Sequence, residues 1–589
     1  MSLVTIQLGQ CGNQLGRVLN DTLFSHLAGD ATDDHSHPRR QRRRALERYF
    51  AQVDPSATNS FGIESNTDHF HARSVLVDME TKVVQKCMQH VGTVANPSTP
   101  TSATSIKSTK STKSTKQTKP TRTSRGTRGG ARQPISSYTS SSNNSIPPSS
   151  TSSNTATWSY RPKSSYVRHS GSGNNWAAGY NTHAAGPQGA GSSVMELIRI
   201  EAEQSDFGVS AFLLLQSLAG GTGSGVGARI SELLRDEYGG RSTIANALVA
   251  PYSAGEVSVQ LYNSLLTLTH TSRSSDAVFV FRNDQIQSIC QTRMRLAHPS
   301  FNDLNTVIAG HLASSVLLPS TSWSGPKATR SGSNGGNRDG NTERGLEDAV
   351  RHLCAHPSYR MLGIKMIPVG AIGDQTFDTS TWKGMLRRLH QMQMDPDAYM
   401  EDCIDWSLSS GTTTQRSTLN KDVERDSRLG SQGVNRTIAA SLVLRGIDAT
   451  TTLTGGENEN GREKRDREKK GRDGNYDQEK YRYPPTNWSK TPGMFSNHLF
   501  PCGGMGGMGG TPLDIRTDSH SYDFWERSAS IVSNSQTIVT PLRRILENGK
   551  EMFDANAYVH QYETHGFQRD DLNEAFEQMA QIVHDYSSL

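Results

Sequence analysis

Cysteine is scarce in this chain, and no cysteine pair has the spacing of a metal or disulfide motif. The six cysteines lie far apart, none in a Cys-x-x-Cys pair, and the 19 histidines include no His-Glu-x-x-His motif. This pattern is typical of free thiols in a reducing compartment. It argues against both a disulfide-stabilised framework and a structural zinc site.

Long apolar runs are also missing. No stretch reaches the roughly 18 to 20 apolar residues that a membrane-spanning helix needs, and the N-terminus has no basic segment followed by an apolar one. We therefore expect no signal peptide, no membrane partner and an intracellular location. Only 33% of the 589 residues are hydrophobic, which is low for one compact globule. Two or three folded blocks separated by polar inserts explain this composition.

Acidic residues are absent from a long internal stretch, because no Asp or Glu lies between Glu80 and Glu196. Within it, Lys or Arg recurs at every third position from Lys107 to Arg128, mostly between Ser and Thr. We expect the insert from about 93 to 169 to be disordered, since it buries too little apolar surface to fold. It is either a neutral, solvated expansion or a tether to acidic surfaces, such as the acidic tails of partner proteins. The net charge of +5 is too small to predict a specific nucleic-acid partner.

The remaining sequence divides into three blocks. Residues 1–312 alternate apolar strands with helical segments, which predicts a parallel sheet covered by helices, with a ligand at the carboxyl ends of the strands. Residues 345–535 predict a second, smaller α/β domain, with polar inserts at about 319–344 and 450–485 and a glycine run at 503–510. Residues 540–589 are predicted to be helical, and apolar side chains three or four residues apart make the last helix amphipathic.

A glycine loop is the strongest functional signal. Residues 219–225 (AGGTGSG) follow the apolar run 211–218 and precede a helical segment at 226–238. Glycines let backbone N–H groups converge on a phosphate, and a helix N-terminus favours negative charge there. No Lys follows the last glycine, so the loop is not a Walker A motif, and its spacing also differs from the Gly-x-Gly-x-x-Gly of dinucleotide-binding proteins. The alternative interpretation is a flexible linker, against which the flanking strand and helix argue.

Three further segments occur with this loop, in an order that identifies a family. We call residues 9–14 (GQCGNQ) loop 1, residues 77–80 (VDME) loop 2, residues 171–177 (GSGNNWA) loop 3 and residues 219–225 loop 4. Together they resemble the tubulin family, over nearly the whole chain outside the inserts. The start SLVTIQLGQCGNQ, loop 3, the segment YSAGEV at 252–257 and the end HDYSSL, without a Glu-rich tail, resemble its delta members.

The resemblance implies an α/β fold with a parallel-sheet, tubulin-like GTPase domain, a smaller α/β intermediate domain and C-terminal helices. It also implies GTP or GDP as the ligand, with Mg²⁺ held by Glu80 through water and by Asp78. Amide side chains would read the guanine edge, Glu256 would accept from the ribose, and Phe301 would stack on the base. The residues expected to contact the nucleotide are Gln10, Cys11, Ser172, Gly173, Asn174, Ser217, Ala219, Gly220, Gly221, Thr222, Gly223, Ser224, Gly225, Glu256, Asn283, Phe301 and Asn305. For Cys11, a small buried residue without a reactive role is an equal alternative.

Hydrolysis in this family is completed by an acid from a neighbouring subunit, which orients the attacking water. The matching segment GLEDAVRHL at 345–353 makes Asp348 the candidate, with Glu347 one position away. A solvent-facing helix acid without a catalytic role is the alternative. A head-to-tail contact of this kind extends into an open filament.

The resemblance implies that the chain is a GTP-binding cytoskeletal protein of centrioles and basal bodies. Its expected partners are other tubulins, either alpha and beta or another rare tubulin. The resemblance further implies a role in triplet microtubules and in cilia or flagella. A non-hydrolysing structural or templating module with permanently bound GTP remains an alternative, and so does a divergent microtubule subunit. A Rossmann dehydrogenase fits poorly, since no acid at the expected distance follows a first-strand glycine motif.

Overall fold

The structure is a computed structural model, and it describes fourteen segments of the chain. Statements about the fold refer to these segments, which are residues 1–28, 37–53, 68–93, 156–185, 189–205, 208–253, 258–322, 343–370, 381–404, 435–449, 488, 494–495, 512–523 and 525–589.

Most strands belong to one twelve-stranded sheet, in the order β12-β11-β15-β14-β16-β13-β10-β9-β8-β1-β4-β7, and the others form a sheet in the order β2-β3-β6-β5. The strands are β1 Ser2–Leu8, β2 Phe50–Gln52, β3 His69–Ala72, β4 Ser74–Asp78, β5 Val91–Thr93, β6 Thr157–Tyr160, β7 Ser165–Val167, β8 Val209–Ser217, β9 Thr243–Ala250, β10 Ala277–Arg282, β11 Ser320–Ser322, β12 Glu343–Arg344, β13 Met361–Ile367, β14 Thr437–Gly446, β15 Leu513–Asp518 and β16 Arg527–Ser535.

Helices cover the sheet. They are α1 Gly9–Ala28, α2 His37–Tyr49, α3 Thr81–Met88, α4 Ala190–Glu203, α5 Gly227–Tyr238, α6 Gln260–Ser274, α7 Asn283–Thr292, α8 Phe301–Leu312, α9 Leu346–Leu353, α10 Trp382–Met394, α11 Val539–Asp554, α12 Val559–Glu563 and α13 Arg569–Ser587. Three further segments are π-helical, at Ala178–His183, Gly221–Val226 and Ala313–Leu317.

The sheet is parallel from β13 through β10, β9, β8, β1 and β4 to β7. In β8 the residues from Ala211 to Leu215 are fully buried, because helices cover both faces of the sheet. This burial explains why β8 reads as a continuous apolar run. The predicted α/β fold with a parallel sheet is confirmed.

The second block adds a mixed extension to the same sheet. Strand β16 runs antiparallel to β13 and β14, while β14 and β15 are parallel. Strand β13 also pairs with β10 of the first block, so the sheet continues across the expected boundary between the two α/β domains. The division at 312 and 345 therefore stays a prediction about domains, whereas the sheet itself is continuous.

The last helix buries the apolar positions that its spacing predicted. Its side chains pack against the rest of the core with exposures of 7% or less, at Leu572, Phe576, Met579, Val583 and Tyr586.

The expected extent of the basic insert is wrong at its C-terminal end. Residues 157–160 and 165–167, placed in that insert, are strands β6 and β7. Trp158 and Tyr160 are almost completely buried in the small sheet, whereas alternate residues face outward. That alternation makes a short half-buried strand look polar. The part of the insert at 94–155 lies outside the described residues, as do 323–342, 450–485 and 503–510.

Candidate functional site

Five loops emerge at the carboxyl edge of the parallel sheet. Strand β1 lies between β4 and β8, so loops 1, 2 and 4 leave adjacent strands at the same edge. Strand β7 is parallel to β4, which brings loop 3 to that edge as well. The start of α7, with Asn283, follows β10 two strands further along. Parallel strands thus bring together segments that are up to about 270 residues apart in the chain.

Loops 1 and 4 approach each other so closely that only glycine fits. Gly9 has a left-handed φ of +68°, and a Cβ atom on it would lie 3.0 Å from the backbone nitrogen of Gly223. Asn13 fixes the turn by donating to the carbonyls of Gly9 at 2.8 Å and Val77 at 3.1 Å. Loop 1 is therefore held against both the end of β4 and the glycines of loop 4.

Loops 3 and 4 are also in direct contact. A Cβ atom on Gly221 would lie 2.6 Å from the Cβ of Ser172, and the hydroxyls of Ser172 and Thr222 are 3.3 Å apart. Gly173 and Asn174 have left-handed φ angles of 55° and 54°. Two consecutive residues in this conformation turn the backbone sharply.

Loop 4 continues without a break into a helix. The π-helical segment Gly221–Val226 runs directly into α5, so the N–H groups of its first turn lie at a helix N-terminus. The hydroxyl of Ser224 is not available there, because Ser224 is fully buried and donates to the carbonyl of Gly220. The Ser217 hydroxyl accepts from the N–H of Ala219 at 3.2 Å. Of the predicted hydroxyl donors, those of Ser172 and Thr222 meet where the two loops touch.

The two carboxylates of loop 2 differ in environment. Asp78 is 4% exposed, and its Oδ1 accepts from the N–H of Glu80 at 3.3 Å. Its Oδ2 has no hydrogen-bond partner among the described residues, and burial raises the pKa of Asp78 to about 6. Glu80 is exposed and faces loop 3, since a Cβ on Gly171 would lie 3.8 Å from its Oε1. A buried carboxylate oxygen without a donor, next to an exposed carboxylate, fits a divalent cation.

The side chains predicted to contact the base lie on neighbouring helices. Helix α8 packs against α1 and α7, and Arg17 of α1 donates to Asn302 at 2.7 Å. Asn305 is 6% exposed, and its side chain makes no hydrogen bond to another described residue. Phe301, in the first turn of α8, is 60% exposed. A buried amide without a partner and an exposed aromatic ring are both suited to a planar, polar ligand.

Four other predicted site residues differ in their surroundings. Gln10 is exposed on the first turn of α1. Cys11 is half-buried, and burial raises the pKa of its thiol to about 12, a direction that disfavours the reactive thiolate. Asn283 is partly exposed at the first position of α7. Glu256 lies outside the described residues.

The two candidate catalytic acids on α9 are in contrasting positions. Glu347 accepts from Arg48 of α2 through both carboxylate oxygens at 2.5 Å, and the side chains are 15% and 20% exposed, respectively. Burial by itself would raise the pKa of Glu347, but the Arg48 guanidinium outweighs it and the pKa is lowered. The Asp348 side chain is 37% exposed, and among the described residues its ion-pair partner is the exposed Arg351 at 3.2 Å. Asp348 is thus the acid that α9 presents to its surroundings.

Comparison with known proteins decides the family. A model of the Tubulin/FtsZ family, GTPase domain, matches residues 137–291. The chain is 31% identical to the tubulin delta chain of Macaca fascicularis and 31% identical to that of Homo sapiens, in each case over 593 aligned positions covering the whole of both proteins. It is also 35% identical to the tubulin beta-2 chain of Geotrichum candidum, over 26% of this chain and 32% of that protein.

The chain belongs to the tubulin family. Its similarity to delta chains extends over the full length, whereas the match to the beta-2 chain covers about a quarter of the sequence. It is therefore a delta-like tubulin. The family's GTPase domain implies binding of GTP or GDP, and the loops that meet at the carboxyl edge of the sheet are the tubulin segments quoted above. Within the described residues, no helix is both long and apolar enough to cross a membrane.

Sequence reasoning missed two residues that organise this tubulin's loops. One is Asn13, which joins loop 1 to β4. The other is Asn263 of α6, which bonds to loops 3 and 4 and to Tyr562 near the C-terminus. Asn263 lies in the segment LYNS at 261–264, which resembles the family, but nothing in its local sequence indicates its partners. Both side chains are fully buried, so their roles depend on contacts that only the folded chain brings together.

Proposed function

We propose that this delta-like tubulin binds a guanine nucleotide with Mg²⁺ in the loops at the carboxyl edge of the sheet. We propose further that a neighbouring tubulin completes the site for hydrolysis. The observation that carries the proposal is the separation of two features. The loops suited to the phosphates follow the C-terminal ends of the strands, while Asp348 belongs to a helix near the opposite edge.

Helix α9 is located by its contacts with β8. It packs against β8 and β14, and the Ser210 hydroxyl, near the start of β8, helps to lower the pKa of the Glu347 carboxyl. Loop 4 follows Ser217, at the end of that strand. The strand has nine residues, and a rise of about 3.3 Å from each residue to the next places its first and last Cα atoms roughly 26 Å apart. Asp348 is thus too far away to act on a nucleotide held by its own chain.

A head-to-tail arrangement resolves this separation. If the carboxyl edge of one subunit faces the opposite edge of the next, an exposed acid equivalent to Asp348 reaches the nucleotide of its neighbour. Such a contact joins two different surfaces and therefore repeats along a filament. An isolated subunit then hydrolyses GTP slowly, and contact with another tubulin accelerates hydrolysis.

The chain's own residues have separable parts in this reaction. Backbone N–H groups of loops 1, 3 and 4 bind and orient the phosphates, while Asn283 and Asn305 bind the base. Asp78 and Glu80 would hold Mg²⁺, which neutralises phosphate charge when it is bound. Among the described residues no group of three or more His, Cys, Asp or Glu side chains is arranged to hold a metal, so phosphate and water oxygens would supply the other ligands. The carboxylate of Asp348 orients the attacking water on the neighbouring subunit.

The proposed cellular role follows the relationship to delta chains. We propose action at centrioles and basal bodies, in forming or stabilising triplet microtubules and hence cilia or flagella. The partners would be other tubulins, alpha and beta or another rare tubulin. Localisation of the tagged chain relative to centrioles, together with the triplet structure in cells that lack it, tests this part separately from the chemistry.

The chemical proposal is tested first by the nucleotide that the protein carries. Freshly purified protein is denatured, and the released nucleotide is separated by chromatography. We expect close to one guanine nucleotide per chain, with a GDP fraction that rises as partner tubulin is added. GTP that remains intact with every partner would instead favour a structural module with a permanent ligand, and absence of guanine nucleotide would refute the site.

Action between subunits is tested by complementation. Asp348→Ala keeps the nucleotide site but lacks the acid, whereas a loop 1 variant such as Gly9→Ala keeps the acid and lacks a functional site. Neither variant alone should turn over GTP when it assembles. A mixture of both should recover turnover, whereas acid and nucleotide acting within one chain would leave the mixture inactive.

A further inference from the structure

One buried amide connects the two loops that are expected to face the phosphates. Asn263 of α6 is fully buried, and its Nδ2 donates to the carbonyl of Asn174 in loop 3 at 2.8 Å and to that of Ala219 in loop 4 at 2.7 Å. Its Oδ1 accepts from the backbone N–H of Trp176 at 3.0 Å and from the hydroxyl of Tyr562 at 2.6 Å. All four hydrogen-bonding positions of the amide are occupied.

These bonds determine the spacing of the two loops. Loops 3 and 4 lie on different segments, and within them Asn174 and Ala219 are joined through a single nitrogen. The loops also pack directly on each other, where Ser172 and Asn175 approach Gly221, where the hydroxyls of Ser172 and Thr222 are 3.3 Å apart, and where Trp176 approaches Gly225. Because the amide is fully bonded and buried, it has one orientation, and a shift of either loop breaks a buried hydrogen bond.

The same amide connects the loops to the C-terminal part of the chain. Tyr562 of α12 is fully buried and donates to Asn263, while Tyr262, next to Asn263, donates to the carbonyl of Ala557 at 2.9 Å. The carbonyl of Gln561 accepts from Asn175 of loop 3 at 3.1 Å. Helix α12 thus contacts both loop 3 and the residue that joins loop 3 to loop 4.

We propose that Asn263 is a positioning residue for nucleotide binding, and that Tyr562 holds its amide in the orientation that joins loops 3 and 4. The proposal rests on the guanine-nucleotide site proposed above and adds to it the residue that sets the distance between the two phosphate loops. Neither side chain needs to touch the nucleotide. Loss of the two bonds from Nδ2 frees the loops to separate, which lowers the barrier to nucleotide release.

The chain contains a second buried asparagine that is bonded to a buried tyrosine, away from these loops, and this pair serves as a control. Asn534 of β16 is also fully buried, and its Nδ2 donates to the carbonyls of Leu353 at 2.9 Å and Tyr359 at 2.8 Å. Its Oδ1 accepts from the hydroxyl of Tyr586, a fully buried residue of the last helix, at 2.9 Å. Asn534 contacts neither phosphate loop. A substitution of this second amide should therefore lower stability by a comparable amount and leave the loops intact.

The experiment compares the two amides. The full-length protein is loaded with a fluorescent GDP analogue, and its release is timed after excess GDP is added, for the wild type, Asn263→Asp and Asn534→Asp. Aspartate keeps the acceptor oxygen, loses both donors and places negative charge against two carbonyls. We expect release from Asn263→Asp to be roughly tenfold faster or more, and release from Asn534→Asp to match the wild type. Urea unfolding of each variant shows whether the losses of stability are similar.

Equal release rates in the two Asp variants at similar stability would overturn the proposal, since Asn263 would then have only a structural role. If Asn263→Asp does not fold, Tyr562→Phe and Tyr586→Phe replace it, because each removes a single hydroxyl. We then expect release to be about threefold faster for Tyr562→Phe only, and equal rates would overturn the proposal. Wild-type protein that carries and binds no guanine nucleotide would refute the proposed site itself, a result distinct from equal rates in variants that bind.

Discussion

Glu347 and Asp348 are adjacent acids on α9, and replacing each with its amide should have opposite effects. The change at Glu347 should lower stability, whereas the change at Asp348 should lower GTP turnover. Glu347→Gln removes the charge that neutralises Arg48, a guanidinium that is 20% exposed and whose Nε has no hydrogen-bond partner among the described residues. Loss of one partner of a buried ion pair costs about 3 to 5 kcal/mol. Since both side chains retain some contact with solvent, we expect about 3 kcal/mol, a shift in the folding equilibrium of roughly a hundredfold.

Asp348→Asn should have little effect on stability. Within the described part of the chain, its ion pair is with Arg351, which is 79% exposed, and such pairs contribute about 0.5 kcal/mol or less. Turnover of the GTP held by the neighbouring subunit, on which Asp348 is proposed to act, should fall by about a hundredfold or more, as expected when a group that positions water is lost. Nucleotide binding should be retained.

The assays are urea unfolding, followed by circular dichroism, and GTP turnover with and without partner tubulin. The double variant Arg48→Met/Glu347→Gln is the control for the ion pair, because removing both charges should recover much of the lost stability. The assignment of Asp348 is refuted if Glu347→Gln abolishes stimulated turnover at unchanged stability while Asp348→Asn remains active.

Three further predictions concern other parts of the chain. Burial lowers the pKa of Lys365 to about 8, so the folded protein loses this proton before the unfolded chain does. The unfolding free energy of the wild type relative to Lys365→Met should therefore rise between pH 8 and about 10.4, by at most about 3 kcal/mol. If urea titrations show that this difference in free energy does not change with pH, the lowered pKa of Lys365 is contradicted. Gly9→Ala should destabilise the protein by about 1 to 2 kcal/mol or more and reduce its bound nucleotide, because of the left-handed φ and the contact with Gly223; Gly220→Ala, where a Cβ meets nothing within 4 Å, should unfold like the wild type in the same urea titration. Asn305→Ala should weaken guanine-nucleotide affinity by roughly tenfold without loss of stability in equilibrium binding and unfolding measurements, and the reverse pattern would assign it to the core.

Local sequence patterns were sufficient where neighbours in the chain decide the structure. The apolar run that became β8, the glycines of loops 1 and 4 and the spacing from Leu572 to Tyr586 all reflect local geometry. A strand buried on both faces must be apolar throughout, and a helix with one buried side must repeat at three or four residues. The order of the four loops then identified the tubulin family, which the full-length similarity to delta chains confirmed.

Local sequence patterns do not predict contacts between residues that lie far apart in the chain. Strands β6 and β7 fall within the predicted basic insert, because a short strand with one exposed face has a polar composition. Glu347 and Asp348 are equivalent by sequence alone, and only the contact with Arg48, 299 positions away, separates a structural acid from an exposed one.

The sequence by itself determined the kinds of elements, the residue types at the loops and the family. Tertiary structure decided which polar groups are already used and which are left for a ligand. Asn263 is engaged by residues 44 to 299 positions away, whereas the Asn305 side chain and the Oδ2 of Asp78 have no partner among the described residues. The physical reason is that hydrogen bonding and burial depend on the positions of partners tens to hundreds of residues away, which the parallel sheet and the helices packed on it bring to one edge.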